Sequence, residues 1–317
     1  MNHPSPDQTL KLTFLGTGAA WGLPELSCDC LICRDMRRKR EKRERSALLL
    51  SGPSTLLLDC GPDIKGQLAR HGVDRPDAVL ISHEHGDHYL GLDELFAYKR
   101  VAPRGTFEPI PVYLTPKSWE TISVRFGYLE EMGVISPHLV EPGRWFEAAR
   151  FNVFPFKTDH GRFASGSVGF LVKTKNVSSR PLRLVYTSDL VDLPEFPAEI
   201  KRPDYLVIQA FWLNEPAKNT PRHMSFQRAL EFIRRFDPER ETFLIHMGDA
   251  DQVPGDPANA MTKKYEPLDP LRPPSGGKPY PIPRNQAQWQ ETVERILTDR
   301  GLARRVTVAF DGLEVNL

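Results

Sequence analysis

The stretch "ISHEHGDHYLG" constrains the fold more than any other part of this chain, because it places four potential metal ligands within six positions. These residues are His83, His85, Asp87 and His88. The apolar run "DAVLIS" leads directly into them, so the cluster is predicted to follow a buried strand. In an extended backbone residues i and i+2 lie on the same side, so His83 and His85 can bind one ion while Asp87 and His88 reach a second ion nearby. Imidazole and carboxylate suit zinc, manganese or iron, whereas a core that buried them without a metal would be costly.

Three further ligand candidates end or follow predicted strands: His160 comes after "FNVFPFKTD", Asp189 closes "LRLVYTSD" and His246 closes "TFLIH". A single histidine or aspartate at a strand end is more often a hydrogen-bonding or surface residue. In this order after the His-x-His-x-Asp-His cluster, however, the three residues complete a ligand set for two metal ions. The fold is therefore expected to bring several strand ends to one edge.

The rest of the chain alternates β-type runs with amphipathic segments, and this pattern predicts a layered α/β (α+β) fold. Helical spacing of apolar residues marks residues 62–71, 225–236 and 286–300. Short apolar runs bounded by turn residues predict strands that begin at Lys11, Ala47, Thr55, Ala78, Pro111, Phe151, Val168, Leu182, Tyr205, Thr242 and Arg305.

The order of the seven ligand candidates closely resembles that of the metallo-β-lactamase superfamily of binuclear hydrolases, and the resemblance extends over nearly the whole chain. It implies a four-layer αββα sandwich and a single domain over residues 1–317. Carried over residue by residue, it also implies two divalent metal ions, zinc or manganese with iron as an alternative, and hydrolysis by a metal-bridging hydroxide. One metal would be bound by His83, His85 and His160, the other by Asp87, His88 and His246, with Asp189 as the bridge.

A second cluster, "LSCDCLIC", contains Cys28, Cys30 and Cys33 within a cysteine-rich loop at residues 26–45. The start "MNHPSPDQT" has no secretory signal and no run of the chain is apolar enough to span a membrane, so we expect a cytoplasmic protein. Clustered cysteines are then more often metal ligands or catalytic groups than disulfides. A redox pair would need a thioredoxin-like context, and a nucleophilic cysteine would need a base of its own. A structural zinc is therefore the preferred interpretation. Cys60, in "LLLDCG", is predicted to be a buried small side chain.

Together with "LGTGAAWGLP" and "FDGLEV", the cysteine cluster makes the chain similar to the phosphoribosyl cyclic phosphodiesterase (PhnP-like) branch of the superfamily. This resemblance implies a Cys-x-Cys-x-x-Cys structural zinc site and a catalytic histidine before a helix, which maps onto His223. From the residues alone, His223 is either a capping or surface histidine, or a group that protonates a leaving alkoxide or binds a phosphoryl oxygen. Asp87 is expected to act in catalysis as well as in metal binding. Where the branch has a second histidine as zinc ligand, this chain has Asp249, with Asp251 as the weaker alternative.

The resemblance thus favours a metal-dependent phosphodiesterase for a small cyclic or nucleotide-like phosphodiester, with a homodimer as one expectation. An RNA-processing nuclease of the tRNA 3′-processing type and an enzyme like the pyrroloquinoline quinone biosynthesis protein B are the alternatives. A flavin-linked diiron oxidoreductase is less favoured because no flavin-binding domain follows. Lactonase or thioesterase activity would leave His223 without an assigned catalytic role.

Two segments stand apart by composition. Residues 34–45, "RDMRRKREKRER", have eight basic and three acidic side chains and are interpreted as a solvated helical face, with nucleic-acid contact as the alternative. Residues 251–284 carry nine prolines and are interpreted as a solvated surface loop, with a lid or subunit contact as the alternative. Because the formal net charge is only +1, nucleic acid is not a favoured partner and no membrane attachment is expected.

Overall fold

The strands of the computed structural model, which describes residues 10–175 and 180–317, form two sheets of seven. The first sheet has the order β14-β1-β2-β3-β4-β5-β6 and the second the order β13-β12-β11-β10-β9-β8-β7. The strands are β1 (Lys11–Gly16), β2 (Ala47–Ser51), β3 (Thr55–Leu58), β4 (Ala78–Leu80), β5 (Ile110–Leu114), β6 (Ile135–Leu139), β7 (Phe146–Ala148), β8 (Phe151–Lys157), β9 (Val168–Thr174), β10 (Arg183–Tyr186), β11 (Tyr205–Gln209), β12 (Glu241–Ile245), β13 (Val306–Val308) and β14 (Glu314–Asn316).

Four of the α-helices start at a residue whose side chain caps them. In the sixth helix the Ser225 hydroxyl accepts a hydrogen bond from the Arg228 backbone N–H at 3.0 Å, and Phe226, Leu230 and Ile233 form its buried stripe. No helix among the described residues is long and apolar enough to cross a bilayer. The α-helices are α1 (Leu31–Lys39), α2 (Ile64–Arg70), α3 (Gly86–Tyr89), α4 (Phe96–Val101), α5 (Pro116–Glu131), α6 (Phe226–Phe236) and α7 (Gln286–Asp299).

Three apolar layers hold these elements together and confirm the expected αββα order. Between the sheets, the ring centroids of Phe14 and Phe243 lie 5.1 Å apart. Apolar side chains of α2 and α5 pack on the first sheet, and those of α6 and α7 pack on the second sheet. Since both faces of each sheet are covered, strands such as β2, β3 and β4 are apolar along nearly their whole length.

Parallel pairing directs the carboxyl ends of the central strands to one edge of the sandwich. Strands β3 to β6 are parallel in the first sheet, and β10 to β13 are parallel in the second. At this edge a Cβ on Gly91 would lie 2.1 Å from the Gly61 carbonyl oxygen, so only glycine fits at position 91. This close approach presses the histidine-rich loop against the loop that follows β3.

The predicted strands and the three predicted helices are confirmed with small changes of boundary. Strands β6 and β7 and helices α3, α4 and α5, the last of sixteen residues, were not predicted. Helix α5 buries only four side chains, and strand β6 contains a proline and is largely exposed, so neither shows strong periodicity.

The interpretation of residues 34–45 as one solvated helical face is wrong beyond Lys39. Helix α1 ends there, because Arg40 adopts a left-handed conformation with φ 58°. Arg43 is then buried, and its guanidinium donates hydrogen bonds to Thr17 Oγ1 and to the Ala309 carbonyl, both at 2.7 Å. Basic residues in this run therefore serve packing as well as solubility.

The interpretation of residues 251–284 as a solvated loop is also wrong in part. The segment has little regular structure apart from a short 3₁₀ turn at Pro257–Ala260. Leu271 and Tyr280 nevertheless join the core beneath α6 and α7, and Lys264 is buried. The proline-rich segment is packed against the body of the protein.

Candidate metal centre

The loops that leave β4, β8, β10 and β12 bring all seven predicted ligands to one edge of the sandwich. His246 follows β12 directly and has a φ of 57°, while Ser188, next to Asp189, has a φ of 53°. Asp59, at the end of β3, has a φ of 64°. A left-handed conformation costs a non-glycine residue about 1–2 kcal/mol. Three of the positions that aim side chains into this site therefore bear backbone strain.

The first group consists of His83, His85 and His160, whose potential ligand atoms lie within 4.8 Å of one another. His160 Nε2 is 3.0 Å from His85 Nδ1. The other nitrogen of His160, Nδ1, is 2.9 Å from the carbonyl oxygen of Arg222, and His83 Nδ1 is 3.0 Å from the Ser82 hydroxyl. These outer contacts orient both rings with Nε2 toward the centre of the group.

The second group consists of Asp87, His88, Asp189 and His246, again with ligand atoms within 4.8 Å. Asp189 Oδ2 lies 2.9 Å from His246 Nε2 and 3.5 Å from His88 Nε2. The same oxygen is 3.7 Å from His160 Nε2 in the first group. Asp189 therefore reaches both groups, as a bridging ligand must.

The buried nitrogen atoms of these groups fit divalent metal ions. Nε2 of His83, His88 and His246 is buried and makes no well-aligned hydrogen bond among the described residues, although carboxylate oxygens lie 3.1 Å from His88 Nε2 and 2.9 Å from His246 Nε2. Buried polar atoms without a partner are rare in folded proteins because their desolvation is not compensated. A donor set of imidazole nitrogens and carboxylate oxygens suits zinc, manganese and iron. The two groups can therefore hold metal.

Burial and neighbouring charges shift the pKa values of the ligands in different directions. Burial lowers the pKa of His83, His85 and His160, which keeps these imidazoles neutral. Burial alone would raise the pKa of Asp87, but the adjacent His88 lowers it to about 2. The carboxylates of Asp87, Asp59 and Asp189 outweigh burial and raise the pKa of His88, so a metal ion has to displace a proton from this ring.

Asp59 is a residue of this site that the sequence analysis missed. Its buried Oδ2 is 2.8 Å from His88 Nδ1 and accepts a hydrogen bond from the Tyr186 hydroxyl at 2.6 Å. Its Oδ1 accepts the Ser82 backbone N–H at 2.8 Å. The carboxylate thus fixes Nδ1 of His88 as the donor and leaves Nε2 facing Asp87 and Asp189. An aspartate that ends the apolar run "TLLLDCG" was the available signal.

His223 lies beside the metal ligands, with Nδ1 3.7 Å from Asp189 Oδ2 and its ring stacked on Phe211 at 4.4 Å. Gln209 determines its hydrogen-bonding state. Gln209 Oε1 accepts backbone N–H groups of Leu190 and Met224 at 3.1 Å each, so its amide nitrogen must face the ring. That nitrogen is 2.8 Å from His223 Nδ1. Since Nδ1 accepts this hydrogen bond, the proton of the neutral ring is on Nε2.

The three clustered cysteines surround Asp249, which is buried. Oδ2 of this residue lies 3.5 Å from Cys28 Sγ, 3.3 Å from Cys30 Sγ and 3.0 Å from Cys33 Sγ. A hydrogen bond from the Cys33 thiol lowers the pKa of Cys30 to about 6, which favours the thiolate. The fourth cysteine, Cys60, is buried as expected and lies outside the group.

Asp249 rather than Asp251 is therefore the fourth member of this cluster. The Asp251 carboxylate instead accepts the Leu213 backbone N–H at 3.0 Å. Lys263 Nζ is 2.5 Å from Asp249 Oδ2 and 2.7 Å from a Glu25 carboxylate oxygen. Since Lys263 belongs to the proline-rich segment, that segment covers the cysteine cluster.

A cleft of about 1050 Å³ opens above the two ligand groups. Its floor includes His85, Asp87, His160, Asp189 and His223. Its walls come from the turn after β1, the loop after His160 and the residues before α6, and they include Trp21, Arg45, Arg162, Phe163 and Arg222. The cleft has room for a small molecule in contact with the ligand groups.

Two seven-stranded sheets between helices, with histidines and aspartates gathered at one edge, define a protein of the metallo-β-lactamase fold. The chain belongs to this superfamily, because the family described as "Beta-lactamase superfamily domain" matches residues 54–247, more than half of its length. Members of the superfamily are in general hydrolases.

Two curated proteins match part of this chain in sequence. The chain is 30% identical over 210 residues to an octanoyltransferase of Porphyromonas gingivalis. This match covers 60% of this chain and 41% of that protein. The chain is also 29% identical over 161 residues to a ribonuclease Z of Picosynechococcus. This second match covers 50% of this chain and 46% of that protein. The match thus spans less than half the length of either relative.

Two solved structures match almost the whole chain. A diphosphatase from the PhnP family superposes with a TM-score of 0.67 at 21% identity, covering 97% of this chain and 98% of that one. Zinc-bound PqqB from Methylobacterium extorquens superposes with a TM-score of 0.68 at 19% identity, covering 97% and 100%. At these identities the similarity concerns the fold.

Proposed function

We propose that the protein is a binuclear metal-dependent phosphodiesterase acting on a small cyclic or nucleotide-like phosphodiester. In this proposal His83, His85 and His160 hold one ion, Asp87, His88 and His246 hold the other, and Asp189 bridges them, with zinc or manganese preferred over iron. The observation that carries the proposal is the position of His223 in the cleft, within 3.7 Å of Asp189. A lactone or thioester hydrolase has no evident use for this additional donor.

The proposed mechanism depends on what each group can donate or accept. Two bound divalent ions supply a water of lowered pKa and neutralise negative charge on the attacked group. His223 presents its Nε2–H to a phosphoryl oxygen and stabilises the negative charge that grows there. Burial lowers the pKa of His223 well below its usual value, and Gln209 donates to its other nitrogen, so both effects oppose an imidazolium. We therefore assign His223 the part of a hydrogen-bond donor rather than that of a general acid.

The test is the His223→Ala variant, assayed with bis(p-nitrophenyl) phosphate. Removing one donor to a developing oxyanion costs roughly 10²- to 10³-fold in kcat, so a loss of this size is expected while metal content stays unchanged. His138→Ala, a histidine in β6 outside the cleft, is the matched control. Loss of metal in His223→Ala would make it a structural residue. A metal-loaded protein that cleaves lactones or thioesters but no phosphodiester would contradict the proposal.

We further propose that Cys28, Cys30, Cys33 and Asp249 hold a structural zinc. The donor set is three soft sulfurs and one carboxylate oxygen, which zinc accepts in tetrahedral sites. Lys263 and the buried Lys264, whose Nζ contacts the carbonyl oxygens of Asp249 and Asp251, offset the negative charge of these ligands.

RNA processing is the second candidate, favoured by the similarity to a ribonuclease Z and by Arg45 in the cleft wall. The same metal ligands and His223 would serve either substrate. Initial rates on cyclic phosphates, linear phosphodiesters and precursor tRNA separate the two: a preference for precursor tRNA would replace the small-substrate proposal.

A further inference from the structure

The cleft above the ligand groups has an aromatic rim formed by Trp21 and Phe163. Trp21 is 77% exposed and Phe163 is 71% exposed, and both line the cleft. Within residues 10–175 and 180–317 they are the two most exposed aromatic side chains, followed by Trp145 at 46%. Aromatic rings contribute to stability mainly when they are buried, so folding does not explain why both are presented to solvent at one opening.

The charges beside this rim favour an anionic ligand. Arg45 is paired with Asp63 at 3.3 Å, and Arg222 is paired with Asp159. Arg162 instead lies over the Phe163 ring, with Cζ 4.5 Å from the centroid, and has no carboxylate within 4.0 Å among the residues described. Its guanidinium is therefore available to a phosphate oxygen, which it can bind in a bidentate manner.

We propose that the rim binds the base of a nucleotide, so that the substrate is a phosphodiester that carries a nucleobase. The flat base stacks on Trp21 and Phe163, and Arg162 contacts its phosphate. A nucleotide combines a π-face with an anionic group, which matches an aromatic rim next to an unpaired guanidinium. This inference deepens the proposed function and rests on it.

The rim can be tested without turnover by comparing two ligands that differ only in the base. Isothermal titration calorimetry of the zinc-loaded protein with AMP and with ribose 5-phosphate measures the contribution of the base. Loss of one stacking partner is equivalent to roughly a 5- to 150-fold loss of affinity. We expect AMP to bind about tenfold more tightly than ribose 5-phosphate. Trp21→Ala and Phe163→Ala should each remove most of this difference without changing the affinity for ribose 5-phosphate.

Two controls sharpen the comparison. Trp145→Ala removes an exposed aromatic ring outside the cleft and should leave both affinities unchanged. Trp21→Phe keeps an aromatic face and should retain most of the preference for AMP. Both rim side chains are largely exposed, so the alanine variants are expected to fold.

The possible results test the base site at the rim and the proposed phosphodiesterase reaction separately. Equal affinity for the two ligands, or alanine variants that bind AMP as the wild type does, overturns the inference. A change of oligomeric state in Trp21→Ala with unchanged AMP binding also overturns it, and makes the rim a subunit contact. A Trp21-dependent preference for AMP in a protein that cleaves no phosphodiester supports the base site and contradicts the proposed reaction. Cleavage of phosphodiesters by a protein that binds AMP and ribose 5-phosphate equally supports the proposed reaction and contradicts the base site.

Discussion

Four histidines around the cleft have one ring nitrogen engaged by an outer partner, and the kind of partner differs from ring to ring. His160 faces a backbone carbonyl, His83 a hydroxyl and His88 a carboxylate. His223 alone among these four faces an amide N–H donor. A carboxylate makes the opposite nitrogen more basic, whereas a donor favours the neutral ring. The outer partners thus divide the rings into three suited to bind metal and one suited to donate a hydrogen bond.

Asp59 is expected to raise the metal affinity of the site through His88. In Asp59→Asn the charge opposite His88 Nδ1 is lost, while the size of the side chain is kept. Outer partners of metal ligands contribute about 10- to 100-fold to affinity, so zinc affinity should fall by this factor. Competition with a chromophoric chelator measures the change. Asp77→Asn, which alters a carboxylate bound to the Thr55 backbone N–H away from the site, should retain wild-type affinity. Unchanged affinity in Asp59→Asn would show that Asp59 does not tune the site.

Gln209 is expected to keep the His223 ring neutral. A carboxylate at this position would accept a proton from His223 Nδ1 and raise the pKa of the ring. Gln209→Glu should therefore add to the kcat profile a limb that falls as pH rises, because the imidazolium is lost with increasing pH. The wild-type profile should lack this limb, and so should the double variant Gln209→Glu/His223→Ala. A limb that persists in the double variant would have to arise from another group.

The seven ligand candidates could be found in the sequence because each lies beside an apolar strand, where local pattern and residue type coincide. Asp59 and Gln209 could not be assigned in the same way. Their roles depend on side chains that are 29 and 14 residues distant and on the orientation of rings and amides. Pairing of this kind is set by the packing of the strands, and a single sequence does not reveal it.

At the scale of elements, the cysteine-rich loop and the proline-rich segment behave as one unit. Cys30 caps helix α1, and Val253 and Ala258 of the proline-rich segment pack with the cysteines. Lys263 of the same segment is paired with Asp249 and with Glu25. Composition predicted a loop here because prolines disrupt periodicity, and it could not predict that the loop covers a cluster of thiols.

We expect Cys30→Ser to remove one metal ion per chain without removing the other two. A hydroxyl is a much weaker zinc ligand than a thiolate, so the structural ion should be lost. Residues 251–284 should then become sensitive to limited proteolysis. Metal analysis by mass spectrometry and peptide mapping measure both effects, with Cys60→Ser as the control. Two ions per chain in both the wild type and Cys30→Ser would exclude the structural zinc.

At the scale of the whole molecule, metal binding is expected to add to stability. Four buried ring nitrogens of His83, His88 and His246 make no well-aligned hydrogen bond within the described part of the chain, so the metal-free protein bears their desolvation cost. A ligand at 100 times its Kd stabilises the folded state by about 2.7 kcal/mol. Adding zinc to chelator-treated protein should therefore raise Tm by several degrees in differential scanning calorimetry. Magnesium, which prefers oxygen ligands, should not do so. Equal shifts with zinc and magnesium would contradict a nitrogen-rich site.

The position of Asp249 has a consequence for the unfolded chain. Cys33 and Asp249 are 216 residues apart in sequence, and zinc bound by both would close a loop of that length. Cross-linking distant positions lowers the conformational entropy of an unfolded chain, and for a disulfide that closes a loop longer than 100 residues the effect is about 5 kcal/mol. While its thiolates stay bound, such an ion would act in a reducing compartment as a disulfide acts in an oxidising one. It would limit the conformations open to the unfolded protein by joining its N-terminal loop to the last third of the chain.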